Sequence, residues 1–117
     1  MSSTVAAGVK TISTSELQAL LESKRPFEFW NVLTDEYFHG ENIAGSRRVP
    51  LDKVGAEVRE KKIAPGAEIV VYCAGPGCPM SGLAAEKLAK LGYKKVWAYE
   101  GGLQEWKQAG LPVDEAR

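Results

Sequence analysis

Apolar residues recur at helical spacing in four segments of the chain. The first segment begins at Ser13, where Glu16 stands three residues later and completes a capping box, and it ends at about Ser23. In all four segments the apolar positions lie three or four residues apart, as in a helix with one buried side. These positions are Leu17, Leu20 and Leu21; Leu51, Val54 and Val58; Leu83, Ala84, Leu88 and Leu91; and Leu103 and Trp106. The pattern predicts four helices, of which the third, from Ser81 to Leu91, is the clearest.

Short runs rich in β-branched and aromatic residues separate the helical segments. They cover residues 27–33, 48–50, 68–72 and 95–99. Strand and helix alternate, and the connections are too long for hairpins. This order predicts an α/β fold, with a parallel sheet that is covered by helices on both faces.

Length and charge limit the organisation and the partners of the chain. Its 117 residues suffice for one compact domain, and we assign residues 1–10 to a flexible lead-in and residues 11–117 to that domain. Fifteen basic and fifteen acidic residues cancel, so the chain lacks the positive field that favours nucleic acid. No apolar run reaches about 18 residues, so we expect no membrane partner.

The cysteine count indicates a reducing compartment. Two cysteines in a domain of this size do not make a disulfide framework. Together with the single histidine they are also too few for structural zinc, which takes four nitrogen or sulfur ligands. We therefore expect free thiols, no metal and a cytoplasmic location.

Cys73 stands where a buried strand is predicted to end. A loop of glycine, proline and small residues follows, and the third helix begins at Ser81. Ligand sites of parallel sheets lie at the carboxyl ends of the strands, and amide groups at a helix start stabilise negative charge. We expect the loop amides from Ala74 to Ser81 to curl around an anion and to make Cys73 a thiolate nucleophile.

Four groups of residues, in this order and spacing, resemble the single-domain rhodanese-like sulfurtransferases. The resemblance extends from about Ile12 to Val113. The groups are Asp35–Tyr37 with Gly40 and residues 43–51; Val70–Cys73; residues 81–93; and Glu100–Gly102 with Trp106 and Gly110–Val113. The resemblance implies an α/β domain with a central parallel sheet of about five strands and helices on both faces.

By the same resemblance the chain moves sulfane sulfur through a persulfide on Cys73. The donor would be thiosulfate, a polysulfide or a persulfide, and the acceptor would be cyanide, a thiol or a protein. No cofactor is implied. The residues expected to bind the substrate are Ala74, Gly75, Pro76, Gly77, Cys78, Pro79, Met80, Ser81 and Arg48.

The chain departs from the family pattern at three places. The arginine that usually precedes the loop serine is replaced by Met80, in a loop two residues longer than usual. Asn31 and Leu33 stand where the family has an aspartate and an arginine, and Asn42 stands where it often has a histidine. Without a guanidinium to clamp a dianion, thiosulfate is less favoured as the donor.

Other interpretations of these residues stay open. Cys78 is either a small packing residue or a resolving thiol that forms a disulfide with Cys73. Arg47 and Arg48 are either solvated charges or substitutes for the absent loop arginine, and His39 is either a surface residue or a partner of Cys73. The alternative function is a non-catalytic binding or thiol redox-sensor module that uses Cys73 and Cys78. Phosphatase or arsenate reductase activity is disfavoured, because the arginine that this chemistry needs would fall at Pro79.

Overall fold

Strands and helices alternate along residues 9–115, the part of the chain that the computed structural model describes. Its strands are β1 (Val9–Thr11), β2 (Glu28–Asn31), β3 (Glu41–Ile43), β4 (Arg47–Arg48), β5 (Glu68–Tyr72), β6 (Lys95–Tyr99) and β7 (Val113–Glu115). Its helices are α1 (Thr14–Glu22), α2 (Val54–Glu60), α3 (Met80–Lys90) and α4 (Gly102–Gln108), with single 3₁₀ turns at Asp35–Tyr37 and Leu51–Lys53. None of the helices within this range is long and apolar enough to cross a membrane.

Five strands form the central sheet, in the order β1-β6-β5-β2-β4. Every neighbouring pair is parallel, which confirms the predicted fold class. Strand β5 lies in the middle, and its register places Tyr72 beside Asn31 on one side and beside Tyr99 on the other. The residues that follow these three therefore leave the sheet together at its carboxyl edge.

Apolar side chains pack against both faces of the sheet. On one face, Val71 and Cys73 belong to a cluster with Val54 of α2 and with Ala84 and Leu88 of α3. The opposite face carries a second cluster, whose members include Leu17, Leu20, Phe29, Val70, Tyr72, Tyr99 and Trp106. Because side chains alternate along a strand, the neighbours Tyr72 and Cys73 enter different halves of the core.

Helix α3 packs through smaller residues than predicted. Its buried positions are Ser81, Ala84, Ala85 and Leu88. Leu83 and Leu91, which the sequence pattern placed on the packed face, are each 49% exposed. The small side chains face the sheet, so the start of the helix lies close to the end of β5, and the two leucines are turned away from it.

Two features of the fold lie outside the predicted pattern. Strands β3 and β7 form a small antiparallel sheet of their own, with Ile43 opposite Val113. Strand β1 pairs with β6 and takes in residues 9 and 10, which the sequence pattern had assigned to the lead-in. Residues 1–8 of that lead-in lie outside the described residues.

Candidate active site

Cys73 directly follows strand β5, where the first turns of two helices meet. The amide of Leu103 in α4 donates to the Cys73 carbonyl oxygen at 3.1 Å, and the amide of Gln104 donates to that of Ala74 at 2.8 Å. Both amides belong to the first turn of α4, whose N–H groups have no partner within the helix. The loop carbonyls satisfy them, and helix α4 thereby fixes the start of the loop.

Gly102 allows this close approach. Its φ of +59° lies in the left-handed region, and a Cβ atom built there would lie 2.5 Å from the Cys73 carbonyl oxygen and 2.7 Å from the Gly75 nitrogen. A side chain at this position would overlap the backbone of the loop. The sequence pattern identified Gly101 and Gly102 as a turn, but not as the point where α4 contacts the nucleophile.

The Cys73 thiol is enclosed by the loop that follows it. The residue is 1% exposed, and its Sγ donates to the Cys78 carbonyl oxygen at 3.5 Å. Burial, with a smaller contribution from the Cys78 side chain, raises the pKa of Cys73 to about 11. The amide and the hydroxyl of Ser81 act in the opposite direction and lower that pKa.

One of the predicted loop amides is turned away from the sulfur. The Cys78 amide donates to the Gly75 carbonyl oxygen at 3.0 Å, within the loop itself. The Cys78 carbonyl, which is an acceptor, faces Cys73 instead. An acceptor in a buried site favours the thiol over the thiolate, so the expected thiolate is a neutral thiol in this structure, while Ser81 acts in the opposite direction.

The remaining loop residues surround the covered sulfur. Gly75 is buried, whereas Ala74, Pro76, Gly77 and Pro79 are exposed. Gly77 has a φ of +90° and open space around it. Met80 and Cys78 are half-buried and pack against the same apolar cluster as Cys73. Residues 74 to 81 thus form one loop and helix start beside Cys73, and their role in binding a substrate stays a prediction.

The two thiols are close in sequence and are both free. Cys73 is buried and Cys78 is half-buried. The Cys73 sulfur contacts the Cys78 carbonyl oxygen, and the Cys78 thiol lies close enough to raise the pKa of Cys73. A resolving role for the Cys78 thiol stays a prediction.

The predicted basic residues are held elsewhere. Arg48 donates to the Leu33 carbonyl oxygen at 2.6 Å and to Asp35 at 3.2 Å, and its guanidinium lies 4.0 Å from the centre of the Phe38 ring. Arg47 forms ion pairs with Glu28 and Glu57. Within residues 9–115, the recorded polar contacts of both arginines are with these groups and not with the loop. His39 is exposed on the segment after β2.

Two of the departures from the family pattern form a single contact. Asn31 is fully buried at the end of β2, and its Nδ2 donates to Asn42 Oδ1 at 3.0 Å. Its Oδ1 accepts from the Leu33 amide at 3.0 Å. A pair of neutral amides therefore stands where the pattern has an aspartate and a histidine, and it joins the central sheet to β3.

Glu100 is a site residue that sequence reasoning missed. It directly follows β6 as Cys73 follows β5, and the register pairs Tyr72 with Tyr99. Glu100 is exposed and lines a cleft of about 280 Å³ together with Gly77, Cys78, Pro79, Ser81 and Gly82. The sequence did show that Glu100 directly follows a predicted strand. Only the strand order, which places β6 next to β5, shows that Glu100 lies near Cys73.

Comparison with curated proteins finds relatives of limited coverage. The chain is 31% identical to the HTH-type transcriptional regulator Rv0324 of Mycobacterium tuberculosis over 85 residues, which cover 73% of this chain and 36% of that protein. It is 36% identical to the uncharacterized protein slr1261 of Synechocystis over 76 residues, which cover 65% of this chain and 40% of that protein. The chain thus spans well under half the length of these two relatives.

Solved structures share the fold. The Alr3790 protein from Anabaena superposes with a TM-score of 0.78 at 24% identity and covers 90% of this chain and 92% of its own. A thiosulfate sulfurtransferase from Pseudomonas aeruginosa gives 0.75 at 23% identity, over 93% of this chain and 21% of its own. EanB, in a structure that contains a cysteine persulfide, gives 0.73 at 24% identity, over 91% and 28%.

A family model decides the assignment. The model of the rhodanese-like domain matches residues 13–109, which include the capped start of α1, the Cys73 loop and α4. It covers most of the sequence, and the parallel five-stranded sheet agrees with it. The chain belongs to the rhodanese-like domain family.

Proposed function

We propose that this domain is a sulfurtransferase that carries sulfane sulfur as a persulfide on Cys73. The observation that carries the proposal is the position of the thiol: it lies at the carboxyl end of the central strand and beside the start of α3, where the amide and hydroxyl of Ser81 lower its pKa. Two proteins with the same fold support this class of chemistry: one is named a thiosulfate sulfurtransferase, and the other, EanB, has a structure with a cysteine persulfide.

The reaction proceeds in two balanced steps. The Cys73 thiolate attacks the outer sulfur of a donor such as thiosulfate; the S–S bond of the donor breaks and sulfite leaves with the electron pair. An acceptor such as cyanide or a thiolate then attacks the outer sulfur of the persulfide, and the Cys73 thiolate is released. In both steps Ser81 donates to a sulfur that carries negative charge, the form that a charge-assisted hydrogen bond stabilises.

The donor reaches the sulfur after the loop over Cys73 moves. A thiol that is 1% exposed has no room for a second reactant, and with a pKa of about 11 it is ionised to only about one part in ten thousand at pH 7. The loop that covers the sulfur lies at the protein surface, because its residues Ala74, Pro76, Gly77 and Pro79 are exposed. Opening would replace the Cys78 carbonyl by water and bring the thiol toward its ordinary pKa.

The substrates follow from the same chemistry. The donor is a small sulfur-containing anion or a persulfide, and the acceptor is a thiol, cyanide or a protein. Because the chemistry needs Cys73 as a free thiol, we place the domain in a reducing compartment such as the cytoplasm.

One contact favours a second candidate, a thiol redox module. The Cys78 thiol lies close enough to Cys73 to raise its pKa, so an oxidised Cys73 would lie beside another thiol. If mild peroxide removes both titratable thiols together, and either serine variant prevents the paired loss, this candidate is supported.

Mass spectrometry of the intact protein tests the proposed function. After exposure to thiosulfate or polysulfide, the wild-type chain should gain the mass of one sulfur atom, and a following incubation with cyanide should remove it with release of thiocyanate. Cys78→Ser should still gain the mass, whereas Cys73→Ser should not. Equal labelling of the Cys73→Ser variant and the wild type would refute the proposal.

A further inference from the structure

The clefts on both sides of the Cys73 loop contain acidic charge and no basic charge. From them we propose that Glu100 sets the donor class of this domain: it disfavours dianionic donors such as thiosulfate relative to donors of lower negative charge, or of none. The inference rests on the proposed sulfur transfer at Cys73.

The first cleft leads to the nucleophile. Its walls are the backbone and small side chains of residues 77–82, and Glu100 supplies its single charged side chain among the described residues. Cys78 belongs to this wall, and its carbonyl oxygen accepts from the Cys73 thiol. A donor that approaches the sulfur along Cys78 therefore passes the Glu100 carboxylate.

The second cleft lies on the other side of the loop, at Pro76. It measures about 350 Å³ and its charged lining residues are Glu16, Glu100 and Glu105. Glu100 is thus the charge that both clefts share. Whichever side of the loop opens, the donor meets this carboxylate.

No basic side chain lines either cleft, as the described residues show. The two arginines that the sequence pattern offered as substitutes for a loop arginine, Arg47 and Arg48, are held by Glu28, Glu57 and Asp35. The helix that follows the loop begins with Met80, an uncharged residue. The approach to Cys73 therefore carries net negative charge.

The expected size of the effect follows from Coulomb's law. An exposed unit charge about 4 Å from a reactant changes its local concentration about fivefold in water. A dianion experiences about the square of that factor, or about twenty-five-fold. Because Glu100 is exposed, salt should reduce both factors.

Charged thiol reagents measure this field without any sulfur transfer. In the Cys78→Ser variant Cys73 is the only thiol of the chain. Its thiolate attacks the sulfenyl sulfur of a methanethiosulfonate ester, the S–S bond breaks and methanesulfinate leaves. One reagent carries an ammonium group and the other a sulfonate group, so the ratio of their rates cancels the ionisation of the thiol and reports the charge around it.

The rate ratio should favour the ammonium reagent, and adding Glu100→Gln to this variant should lower it by about an order of magnitude at low salt. Glu60→Gln is the matched control, since Glu60 is exposed at the end of α2 and lines neither cleft. It removes the same charge and should leave the ratio unchanged. If Glu100→Gln and Glu60→Gln give the same ratio, Glu100 does not act as a charge filter.

Persulfide formation from two sulfur donors of different charge then tests whether the Glu100 carboxylate affects the proposed reaction. Thiosulfate is a dianion and methanethiosulfonate is a monoanion, and both pass on their outer sulfur, with sulfite or sulfinate leaving. Glu100→Gln should accelerate persulfide formation from thiosulfate about fivefold more than from methanethiosulfonate. If both donors label Cys73 but the two accelerations are equal, the filter is refuted and the proposed function stands. If neither of these donors nor polysulfide labels Cys73 while the reagent ratio shifts, the proposed function is refuted and only the electrostatic effect of Glu100 remains.

Discussion

Tyr72 and Cys73 are neighbours at the end of one strand, and both are buried ionisable groups. Burial raises the pKa of Tyr72 to about 12 and that of Cys73 to about 11. Their side chains enter opposite faces of the sheet. The two residues differ in what surrounds the polar atom.

The Tyr72 hydroxyl is enclosed by a completed network. It accepts from the Ile43 amide at 2.8 Å and lies 2.6 Å from Ser46 Oγ. Ser46 Oγ itself donates to the Ile43 carbonyl oxygen, so the hydrogen between the two hydroxyls comes from Tyr72. These partners belong to β3 and the turn after it, far along the chain from β5.

The Cys73 sulfur, by contrast, is covered by its own loop. The groups that act on it belong to Cys78 and Ser81, five and eight residues later. Moving this loop breaks two hydrogen bonds, from the Cys73 thiol to the Cys78 carbonyl oxygen and from the Cys78 amide to the Gly75 carbonyl oxygen. Burial alone therefore does not distinguish a structural ionisable group from a reactive one. The Tyr72 hydroxyl is buried by distant segments of the core, whereas the Cys73 sulfur is buried by a short loop that can move.

Among the substitutions near Cys73, Gly102→Ala should have the largest effect on stability and on the loop that covers the sulfur. The new Cβ would overlap the Cys73 carbonyl and the Gly75 nitrogen, so the loop and α4 must move apart. We expect the free energy of unfolding to fall by about 3 kcal/mol and alkylation of Cys73 to accelerate. Urea unfolding and the alkylation rate of the single-thiol variant measure the two effects.

Gly77→Ala is the matched control for that substitution. Gly77 also has a positive φ, +90°, but open space surrounds it. Only the conformational cost remains, about 1 kcal/mol. Equal losses in the two variants would mean that the contact between Gly102 and the loop contributes nothing.

The thiolate fraction of Cys73 at pH 7 should be about a hundredfold lower than that of an exposed cysteine, and the pH dependence of alkylation should show this. Because a pKa of about 11 exceeds the ordinary cysteine value by about two units, the thiolate at pH 7 is about a hundredfold scarcer than in an exposed cysteine. In Cys78→Ser, which keeps the burial that contributes most to this shift, the rate of alkylation should go on rising about tenfold per pH unit beyond the ordinary cysteine pKa. The urea-unfolded chain should level off near the ordinary value; a plateau of the folded chain at that same pH would contradict the closed structure.

The same groups should make the fold less stable in alkali. Both pKa values are higher in the folded chain than in the unfolded one, so the native state holds these protons more tightly. The stabilisation is complete at neutral pH and is lost as the pH rises from about 9, through the unfolded values and then the folded ones. The midpoint of urea unfolding should decline across this range.

Local sequence patterns predicted the parts of the fold that depend on neighbouring residues. The capping box of α1 is present, with the Glu16 amide 3.1 Å from Ser13 Oγ. The predicted strand and the helix on either side of Cys73 occur as β5 and α3. Both depend on side chains within a few positions of each other.

Contacts between distant segments could not be predicted in this way. The pairing of Ile43 with Val113 joins two three-residue strands that lack any shared turn. The direction of the Cys78 carbonyl depends on how the loop folds back over Cys73, and the acidic character of the clefts depends on the strand order that brings Glu100 to the loop. The position of Cys73 at the end of a buried strand was therefore predictable from the sequence, whereas its resting protonation state was not.

Tyr72→Phe tests how much the hydrogen bonds of the buried Tyr72 hydroxyl contribute to stability. Loss of the hydroxyl leaves the buried Ile43 amide without its acceptor, which should lower the free energy of unfolding by about 2 kcal/mol. Tyr99→Phe is the matched control, because its hydroxyl contacts only the Thr14 hydroxyl, in a part-buried position, and the cost should be about half as large. Persulfide formation on Cys73 should continue in the Tyr72→Phe variant; its loss would mean that the two faces of the sheet are coupled.

Ser81→Ala should give the smallest effect, and the one most specific to the thiol. The Ser81 hydroxyl lowers the pKa of Cys73, as does the Ser81 amide. Removing the hydroxyl leaves the amide in place, so the pKa should rise further and the alkylation rate at pH 9 should fall about fivefold, the equivalent of about 1 kcal/mol. Ser46→Ala removes a buried hydroxyl from the Tyr72 network instead and should leave this rate unchanged while lowering stability. If both variants slow alkylation equally, the reactivity of Cys73 follows the general stability of the fold and not the donor at its own sulfur.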